Sequence, residues 1–596
     1  MPKFSLISLV LLIVLLIVVA AGARAVSTNM PGASDAASGA VPDVKPLPTI
    51  APTDLPPAVE YNLGDTTIVQ SNFPPDSRFR NMPVRLNGLI AVPQGKGGPY
   101  PVVLIMHGNH PGCPVDAAGV DRWPCSPDQE QPNYRGFEYL VRELAARGYV
   151  ALSVNINAEN TFGFGEGAPA DRMQQVVDKH LKALAVASAG GANDFGVDLK
   201  GRADVRRLVL GGHSRGAENA YYLAHQGGLG AADSAIQHGY GPVSGLLLIA
   251  AAAGLVKPTG SDVPVAAILP ACDGDVTTQD GQLYFEGARL DPGQVPWSTS
   301  AWLERANHND VNSVVTGGEF PLFDRPDCET LMGPQAQQAW LVAYAADFLT
   351  TVFGHDPQAI HDAKARLGMD ARTLAPDTLY GQAGRVSALA QASDRKTLMI
   401  PASEAELTLN RVGGGVTADG VSTHFCVEGY YTPSMKPGSE PCKRANVTIP
   451  GNPSMAVVSW ESPGAALKFT LPEGAGDLRN AAAISLRAAV DPLSPLNATG
   501  APQALSVRLS DWNGKTATAS TRPNEPALGF PVGQVKGDSM FGDMFTGRAP
   551  MTTIRIPMSS FAGVDMSQIR EVALVFDKTP SGSLFLGDLE LVRSPQ

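Results

Sequence analysis

Continuous apolar runs that alternate with helical patterns are the feature that most constrains how this chain folds. Such runs have the length of strands and lack polar alternation, which is typical of central strands covered on both faces. They lie at residues 99–106, 149–154, 205–211, 245–250 and 265–269. Helical patterns occupy residues 137–148, 172–188 and 336–354. The alternation predicts an α/β region over 58–354, in which helices flank a mostly parallel central sheet.

The sequence pattern changes near residue 355. Residues 355–394 are predicted to be a helical connector. After about residue 395 the chain consists of short alternating segments separated by Gly, Pro and Asn turns, among them MAVVSW, ALKFTL, AISLRAAV, TTIRIPM and EVALVF. Short strands with frequent turn signals are typical of a β-sandwich, so residues 395–596 are predicted to form an all-β C-terminal domain.

The N-terminus carries an export signal. One lysine precedes an apolar run from about Phe4 to Ala21, and Ala23-Arg24-Ala25 resembles a cleavage site, so residues 1–25 are predicted to be a signal peptide. The run is also just long enough to span a bilayer, which leaves an uncleaved membrane anchor as the alternative. Residues 26–57 are rich in Ala, Pro, Ser and Thr and are predicted to be a flexible spacer. We therefore expect a secreted or extracytoplasmic protein, in the periplasm or at the cell surface.

Charge and cysteine content narrow the function classes. The net charge of −12 argues against a nucleic-acid partner, because phosphate binding requires an excess of Lys and Arg. Six cysteines form three neighbouring couples, which in an oxidising compartment predicts disulfides, although six cysteines allow fifteen pairings. The couples are Cys113 with Cys125, Cys272 with Cys328, and Cys426 with Cys442. No Cys-x-x-Cys or clustered Cys/His spacing suggests a metal site, so none is expected.

Ser214 is the candidate nucleophile. The sequence Gly212-His213-Ser214-Arg215-Gly216 matches the G-x-S-x-G elbow, and it directly follows an apolar strand and directly precedes a predicted helix. Glycines suit this turn because the backbone at the nucleophile is strained and the strand and helix pass closely. Of the two amides that would hold an oxyanion, one belongs to Arg215 and the other, in the loop after an early strand, to Asn109.

A serine nucleophile needs a histidine base and a carboxylate that orients it. Asp273 and Asp275 lie just after the strand at 265–269, and His308 lies in an Asn-rich loop ahead of the last helix. We expect Asp273 to be the acid because it is nearer the strand end, with Asp275 as the alternative. His308 is the expected base, because the later histidines lie in the connector or the β domain.

Aromatic residues in two loops are candidates for lining the substrate cleft. Trp123 lies in the insertion between Cys113 and Cys125, and Phe162 and Phe164 follow the strand at 149–154. The alternative is that these aromatics belong to ordinary surface loops.

Together, MHGN, GHSRG, CDGDV and ANHN, in this order, make residues 58–354 resemble the α/β-hydrolase superfamily, in particular its secreted bacterial esterase and lipase-like branches. The resemblance implies a Ser-His-Asp hydrolase that works through an acyl-enzyme without a cofactor. Arg215 departs from the smaller side chain that many esterases carry after the nucleophile. The C-terminal region resembles jelly-roll, galactose-binding-like modules through LFLGDLELV, which contains Asp588. Carbohydrate is therefore a candidate ligand of this domain, although aromatics in a sandwich are more often core residues. The aromatics that could stack on sugar rings are Trp460, Trp512, Phe541 and Phe545.

The expected function is the hydrolysis of carboxylic esters, with an ester substrate that is polymeric or bound to a surface. Two alternatives stay open at the level of sequence. One is an exported binding or adhesion protein that keeps the hydrolase scaffold without turnover, and the other is a serine peptidase on the same fold. The acyl and alcohol groups of the substrate depend on loop conformations that the sequence does not determine.

Overall fold

The computed structural model describes residues 44–70, 73–77, 79–115, 123–161, 169–317, 319, 326–427, 454–531 and 550–593. The predicted leader at 1–25 and the first part of the predicted spacer lie outside these ranges. In the part of the chain that is described, no helix combines the length and apolarity needed to cross a bilayer.

A ten-stranded mixed sheet organises the first part of the described chain. Its strands are β1 (Val59–Val69), β2 (Asn81–Ala91), β3 (Tyr100–Met106), β4 (Val150–Val154), β5 (Ala203–His213), β6 (Val243–Ile249), β7 (Val265–Pro270), β8 (Ser298–Leu303), β9 (Thr378–Leu379) and β10 (Gln382–Leu389). Their order across the sheet is β1-β2-β4-β3-β5-β6-β7-β8-β10-β9. Strands β3 to β8 run parallel, and the pairs at both edges are antiparallel. The predicted central strands are confirmed.

Helices cover both faces of this sheet. They are α1 (Glu138–Ala146), α2 (Asn157–Thr161), α3 (Pro169–Ser188), α4 (Arg215–His225), α5 (Ser234–His238), α6 (Gln282–Leu290), α7 (Pro334–Phe353) and α8 (Pro357–Arg366). Alternate residues of β3 divide between the two faces: Leu104 packs with α3 and α4, whereas Val103 packs with α1 and α7. On a strand covered on both sides a polar side chain needs a buried hydrogen-bond partner, so apolar residues are favoured at every position, as in the continuous apolar sequence of β3.

The described residues within 395–427, 454–531 and 550–593 form two antiparallel sheets that face each other. The strands are β11 (Arg395–Met399), β12 (Val416–Asp419), β13 (Val421–Cys426), β14 (Met455–Trp460), β15 (Ala465–Thr470), β16 (Ala483–Val490), β17 (Ser506–Asp511), β18 (Thr516–Ser520), β19 (Thr552–Pro557), β20 (Ile569–Phe576) and β21 (Gly582–Val592). One sheet has the order β13-β14-β21-β16-β19, with β11 also paired to β21, and the other has the order β12-β15-β20-β17-β18. Apolar residues of both sheets share one core. The predicted β-sandwich is therefore present among the described residues.

The segment 355–394, predicted as a helical connector, is helical only in its first part. Helix α8 is followed by β9 and β10, and β10 pairs with β8 to extend the first sheet. The prediction missed these strands because they lie at a sheet edge, where QAGRVSAL carries too little apolar sequence to be recognised. The boundaries between the predicted domains stay predictions.

Buried charges join α6 to the sandwich. Glu286 of α6 forms ion pairs with Arg289 of the same helix and with Arg487 of β16. Arg289 also contacts Asp588 of β21, at 3.2 Å, and donates to the backbone oxygen of Ser454 at 2.7 Å. These charged side chains are almost fully excluded from solvent, so each depends on its partners for stabilisation.

Disulfides link two of the three predicted cysteine couples. Cys113 is bonded to Cys125, and Cys272 is bonded to Cys328. Cys426 is also disulfide-bonded, and Cys442, its predicted partner, lies outside the described residues. Disulfides form and persist in oxidising compartments, which favours an extracytoplasmic protein.

Candidate active site

Ser214 lies in a strained turn between β5 and α4. Its backbone has φ 55° and ψ −121°, which is uncommon for a residue with a side chain. A Cβ atom at Gly212 would overlap the backbone of Gly216, and one at Gly216 would overlap the backbone oxygens of Met106 and His107. Both positions therefore require glycine, and the turn has the strand–turn–helix geometry of a nucleophile elbow.

Asp273 and His308 form a buried pair next to this turn. The Nδ1 atom of His308 lies 2.8 Å from Oδ2 of Asp273, and both side chains are buried. The other carboxylate oxygen of Asp273 accepts hydrogen bonds from the backbone amides of Asp275 and Val276, at 2.9 and 2.6 Å. Hydrogen bonds to both oxygens fix the orientation of the carboxylate. In the neutral form of His308 this places the proton on Nδ1 and leaves the lone pair on Nε2.

Asp275 takes a different position from Asp273. Its Oδ2 lies 3.7 Å from Nε2 of His308, and its side chain is 58% exposed. Nε2 itself is buried and has no hydrogen-bond partner among the described residues. The two candidate acids thus lie on opposite nitrogens of the same imidazole.

The charge around His308 raises its basicity. Burial alone lowers the pKa of His308, but the charge and hydrogen bond of Asp273 raise it, and Asp275 and Glu319 raise it further, so that the pKa reaches about 9. Attraction to three carboxylates outweighs desolvation here because the closest of them is itself buried and hydrogen-bonded to the ring.

Glu319 holds the acid loop and the histidine loop together. One of its carboxylate oxygens accepts from the backbone amides of Gly274 and His308, at 2.9 and 3.0 Å, and the other accepts from Asn309 at 2.7 Å. Sequence analysis missed this residue, because a glutamate after two glycines carries no local signal of such a role. The Cys272–Cys328 disulfide lies directly before Asp273, and its sulfurs, with Asp327, form the one candidate metal group among the described residues. Sulfurs bonded to each other do not offer thiolate ligands to a metal.

Two further histidines, His110 and His213, lie near Ser214. His213 donates from Nε2 to the backbone oxygen of His308 at 3.0 Å, with 4.6 Å between the two ring centroids. The side chains of His110, His213 and Ser214 meet beside Gly108. A Cβ atom placed on this glycine would lie 2.9 Å from His110 Nε2, 2.9 Å from His213 Nδ1 and 3.1 Å from Ser214 Cβ. His110 Nε2 and His213 Nδ1 are buried and have no hydrogen-bond partner among the described residues. Because these nitrogens and Ser214 Cβ all lie around the same point beside Gly108, both imidazoles are close to the candidate nucleophile.

The loop after β3 presents its amides in a fixed orientation. His107 accepts a hydrogen bond from the amide of Ile156 on Nε2, at 3.0 Å, so its Nδ1 carries the proton and donates to the Gly108 oxygen at 2.8 Å. Asn160 donates to the same oxygen at 2.6 Å. Because the amide of a trans peptide points opposite to the carbonyl, these contacts turn the N–H of Asn109 away from His107 and Asn160.

The Arg215 side chain does not extend into open space. Its guanidinium forms an ion pair with the buried Glu218, one turn along α4. Glu218 also accepts a hydrogen bond from the backbone amide of Val256, at 2.8 Å. Arg215 is the first residue of α4, and the amides of a first helical turn have no partner within the helix.

The predicted cleft aromatics are only partly described. Trp123 is half-buried, donates from Nε1 to the Pro83 oxygen at 2.9 Å and packs against the side chain of Arg85. It is therefore anchored on β2. Phe162 and Phe164 lie outside the described residues.

The sugar-binding candidates of the sandwich differ in their burial. Trp460 is buried and stacks on Phe576 with 4.4 Å between ring centroids, so it is a core residue, the more common role of an aromatic in a sandwich, and is not available to a sugar. Trp512 is 52% exposed. Phe541 and Phe545 lie outside the described residues.

Comparison with protein-family models and with curated proteins found no match. Among solved structures, the chain is similar to a dienelactone hydrolase-like promiscuous phosphotriesterase, P91, from metagenomic libraries. The sequences are 14% identical, with a TM-score of 0.30, over 50% of this chain and 99% of the other. It is also similar to the family 11 carbohydrate-binding module of the Clostridium thermocellum cellulase Lic26A-Cel5E. That match has 13% identity and a TM-score of 0.18, over 31% of this chain and 89% of the other.

Proposed function

We propose that this protein is an exported serine hydrolase that cleaves carboxylic esters through an acyl-enzyme. The observation that carries the proposal is the buried hydrogen bond from His308 Nδ1 to Asp273. The His308 ring also lies 4.6 Å from the ring of His213, the residue before a serine held in a strained strand-to-helix turn. In this proposal Ser214 attacks the ester carbonyl and His308 accepts its proton on Nε2. Asp273 orients the imidazole and stabilises its protonated form.

The oxyanion that develops on the carbonyl is held by the amides of Asn109 and Arg215. The hydrogen bonds that fix the Gly108 carbonyl support the first of these donors, because they set the amide direction before the substrate binds. The position of Arg215 at the start of α4 supports the second. His308 then gives its proton to the leaving alcohol, and water repeats the attack to release the acid.

Of the two sugar-binding candidates that the structure describes, Trp512 has the accessible aromatic surface that a carbohydrate contact needs. An exposed indole can stack on a sugar ring, and the β-sandwich would then hold a polymeric or surface-bound ester near the catalytic region. This part of the proposal is separate from the catalytic roles.

The first experiment is active-site labelling of the oxidised protein that begins near Val26. A fluorophosphonate probe is applied to the wild type, to Ser214→Ala and to Ser393→Ala, which alters an exposed serine bonded only to its neighbour Asp394. We expect labelling and hydrolysis of p-nitrophenyl esters in the wild type and in Ser393→Ala, and neither in Ser214→Ala.

The result also distinguishes the two alternatives. Labelling with turnover of amides in preference to matched esters would indicate a peptidase. Absence of both labelling and turnover in the folded, oxidised wild type would overturn the enzyme proposal and favour a binding protein.

A further inference from the structure

We propose, on the basis of the esterase function above, that Asp275 selects the alcohol part of the substrate. The site is inferred to favour esters whose alcohol carries a cationic or hydroxyl group near the ester oxygen, and to reject esters of anionic alcohols.

Asp275 lies where the leaving alcohol would depart. Its carboxylate is 3.7 Å from His308 Nε2, the atom that would return a proton to the leaving oxygen. An oxygen within hydrogen-bond distance of Nε2 is therefore close to Asp275, and substituents one or two carbons beyond that oxygen come within reach of the carboxylate.

The Asp275 side chain is not needed to orient the base. Asp273 already binds Nδ1, and Asp275 supports it only through a backbone amide that donates to Asp273. Among the residues that the structure describes, His308 is the one basic side chain within ion-pair distance of the Asp275 carboxylate. The carboxylate is also more than half exposed, so it faces the region that a substrate would enter.

Three carboxylates, those of Asp273, Asp275 and Glu319, surround the imidazole of His308, so the net charge of this group is negative whether His308 is protonated or neutral. Asp273 and Glu319 lie on the other sides of the histidine loop. Arg215 is paired with Glu218, so its charge is largely balanced. A carboxylate on the alcohol would meet this negative field, whereas an ammonium group would be attracted and a hydroxyl could donate to Asp275.

The expected discrimination between charged and uncharged alcohol groups is moderate. Two unit charges about 5 Å apart in a largely hydrated site interact strongly enough to change a rate or an affinity on the order of tenfold. The effect must decrease at high salt, because exposed charges are screened.

The experiment compares butyrate esters in pairs of nearly equal shape. Choline butyrate is paired with its uncharged analogue 3,3-dimethylbutyl butyrate, carboxymethyl butyrate with carbamoylmethyl butyrate, and 2-hydroxyethyl butyrate with propyl butyrate. The ratio of kcat/KM within each pair is measured for the wild type, for Asp275→Asn and for Asp262→Asn, a control at an exposed aspartate. Any effect of Asp275→Asn on the basicity of His308 cancels within a pair.

In the wild type we expect the cationic ester to be favoured about tenfold and the anionic ester to be disfavoured about tenfold. Asp275→Asn should bring both ratios close to one, and Asp262→Asn should leave them unchanged. The hydroxyethyl pair separates charge attraction from hydrogen bonding, since only the latter predicts a preference for the hydroxylated alcohol.

Ratios near one in the wild type, or ratios that Asp275→Asn does not change, would overturn the inference. Failure of the underlying esterase proposal is distinguishable, because then none of the uncharged esters would be hydrolysed.

Discussion

Replacement of Asp275 by asparagine tests the electrostatic account of the base. With a pKa of about 9, His308 would be largely protonated at neutral pH and unable to accept the serine proton. We therefore expect kcat/KM of the wild type to rise with pH up to an alkaline midpoint, above the ordinary histidine value near 6.5.

The size of the effect follows from one distance. Asp275 Oδ2 lies 3.7 Å from His308 Nε2, and the exposure of the carboxylate requires a high effective dielectric constant. With values of roughly 40 to 80, the interaction amounts to about 1–2 kcal/mol, which corresponds to about one pKa unit. Asp275→Asn removes this attraction to the protonated ring, so the alkaline midpoint should move down by about one unit.

The assay is kcat/KM for propyl butyrate between pH 6 and 10 at constant ionic strength, in the wild type, Asp275→Asn and Asp262→Asn. The Asp262→Asn profile should coincide with that of the wild type. A wild-type midpoint near 6.5, or a midpoint that Asp275→Asn leaves in place, would refute the reasoning.

The same pKa has a consequence for stability. Since the pKa of folded His308 is raised above its unfolded value, its contribution to stability is complete below about pH 6.5 and is lost as the pH rises through about 9. This pH dependence of stability is opposite to that of a carboxylate with a lowered pKa, whose contribution is lost as the pH falls.

Three further substitutions test the architecture around the site. Glu319→Gln places an amide against backbone N–H groups and should lower kcat about tenfold or more with little change in KM; equal effects on both parameters would contradict a positioning role. Gly216→Ala should destabilise the fold by about 2 kcal/mol or more in urea unfolding, because its Cβ would overlap the His107 backbone, whereas Gly415→Ala has open space and should be far milder. Arg487→Met should reduce the free energy of unfolding by about 3–5 kcal/mol, because Glu286 loses a buried partner; a loss below about 1 kcal/mol would contradict the ion network.

The central strands and the Asp–His neighbourhood could be predicted from the sequence, because both leave local signals. Strand β8 carries no such local signal. Its sequence STSAWL is fully buried, yet half of its residues carry hydroxyl groups. Those hydroxyls are satisfied by tertiary partners, as when Thr299 meets the Tyr344 hydroxyl at 3.0 Å and Ser300 donates to Gln282 at 2.9 Å. Such partners lie far apart in the sequence, so no periodicity reports them.

The choice between the two candidate acids was open for a similar reason. Asp273 and Asp275 differ by two positions in one turn, and their separation onto opposite nitrogens of His308 depends on the turn's backbone path. Asp273 Oδ1 accepts the amides of Asp275 and Val276, which folds the turn back toward Asp273 and leaves the Asp275 side chain outside. A sequence pattern gives the residue types of such a turn but not the direction of each side chain.

Helix α6 connects the candidate site to the β-sandwich. It begins a few residues after the acid loop, and its Glu286 and Arg289 are held by Arg487 and Asp588 of the sandwich. Taking these charges out of water is costly unless all partners are present, so α6 and the sandwich depend on each other at this buried contact. The sandwich therefore helps to fix the position of α6, the helix that follows Asp273 and Asp275 in the chain.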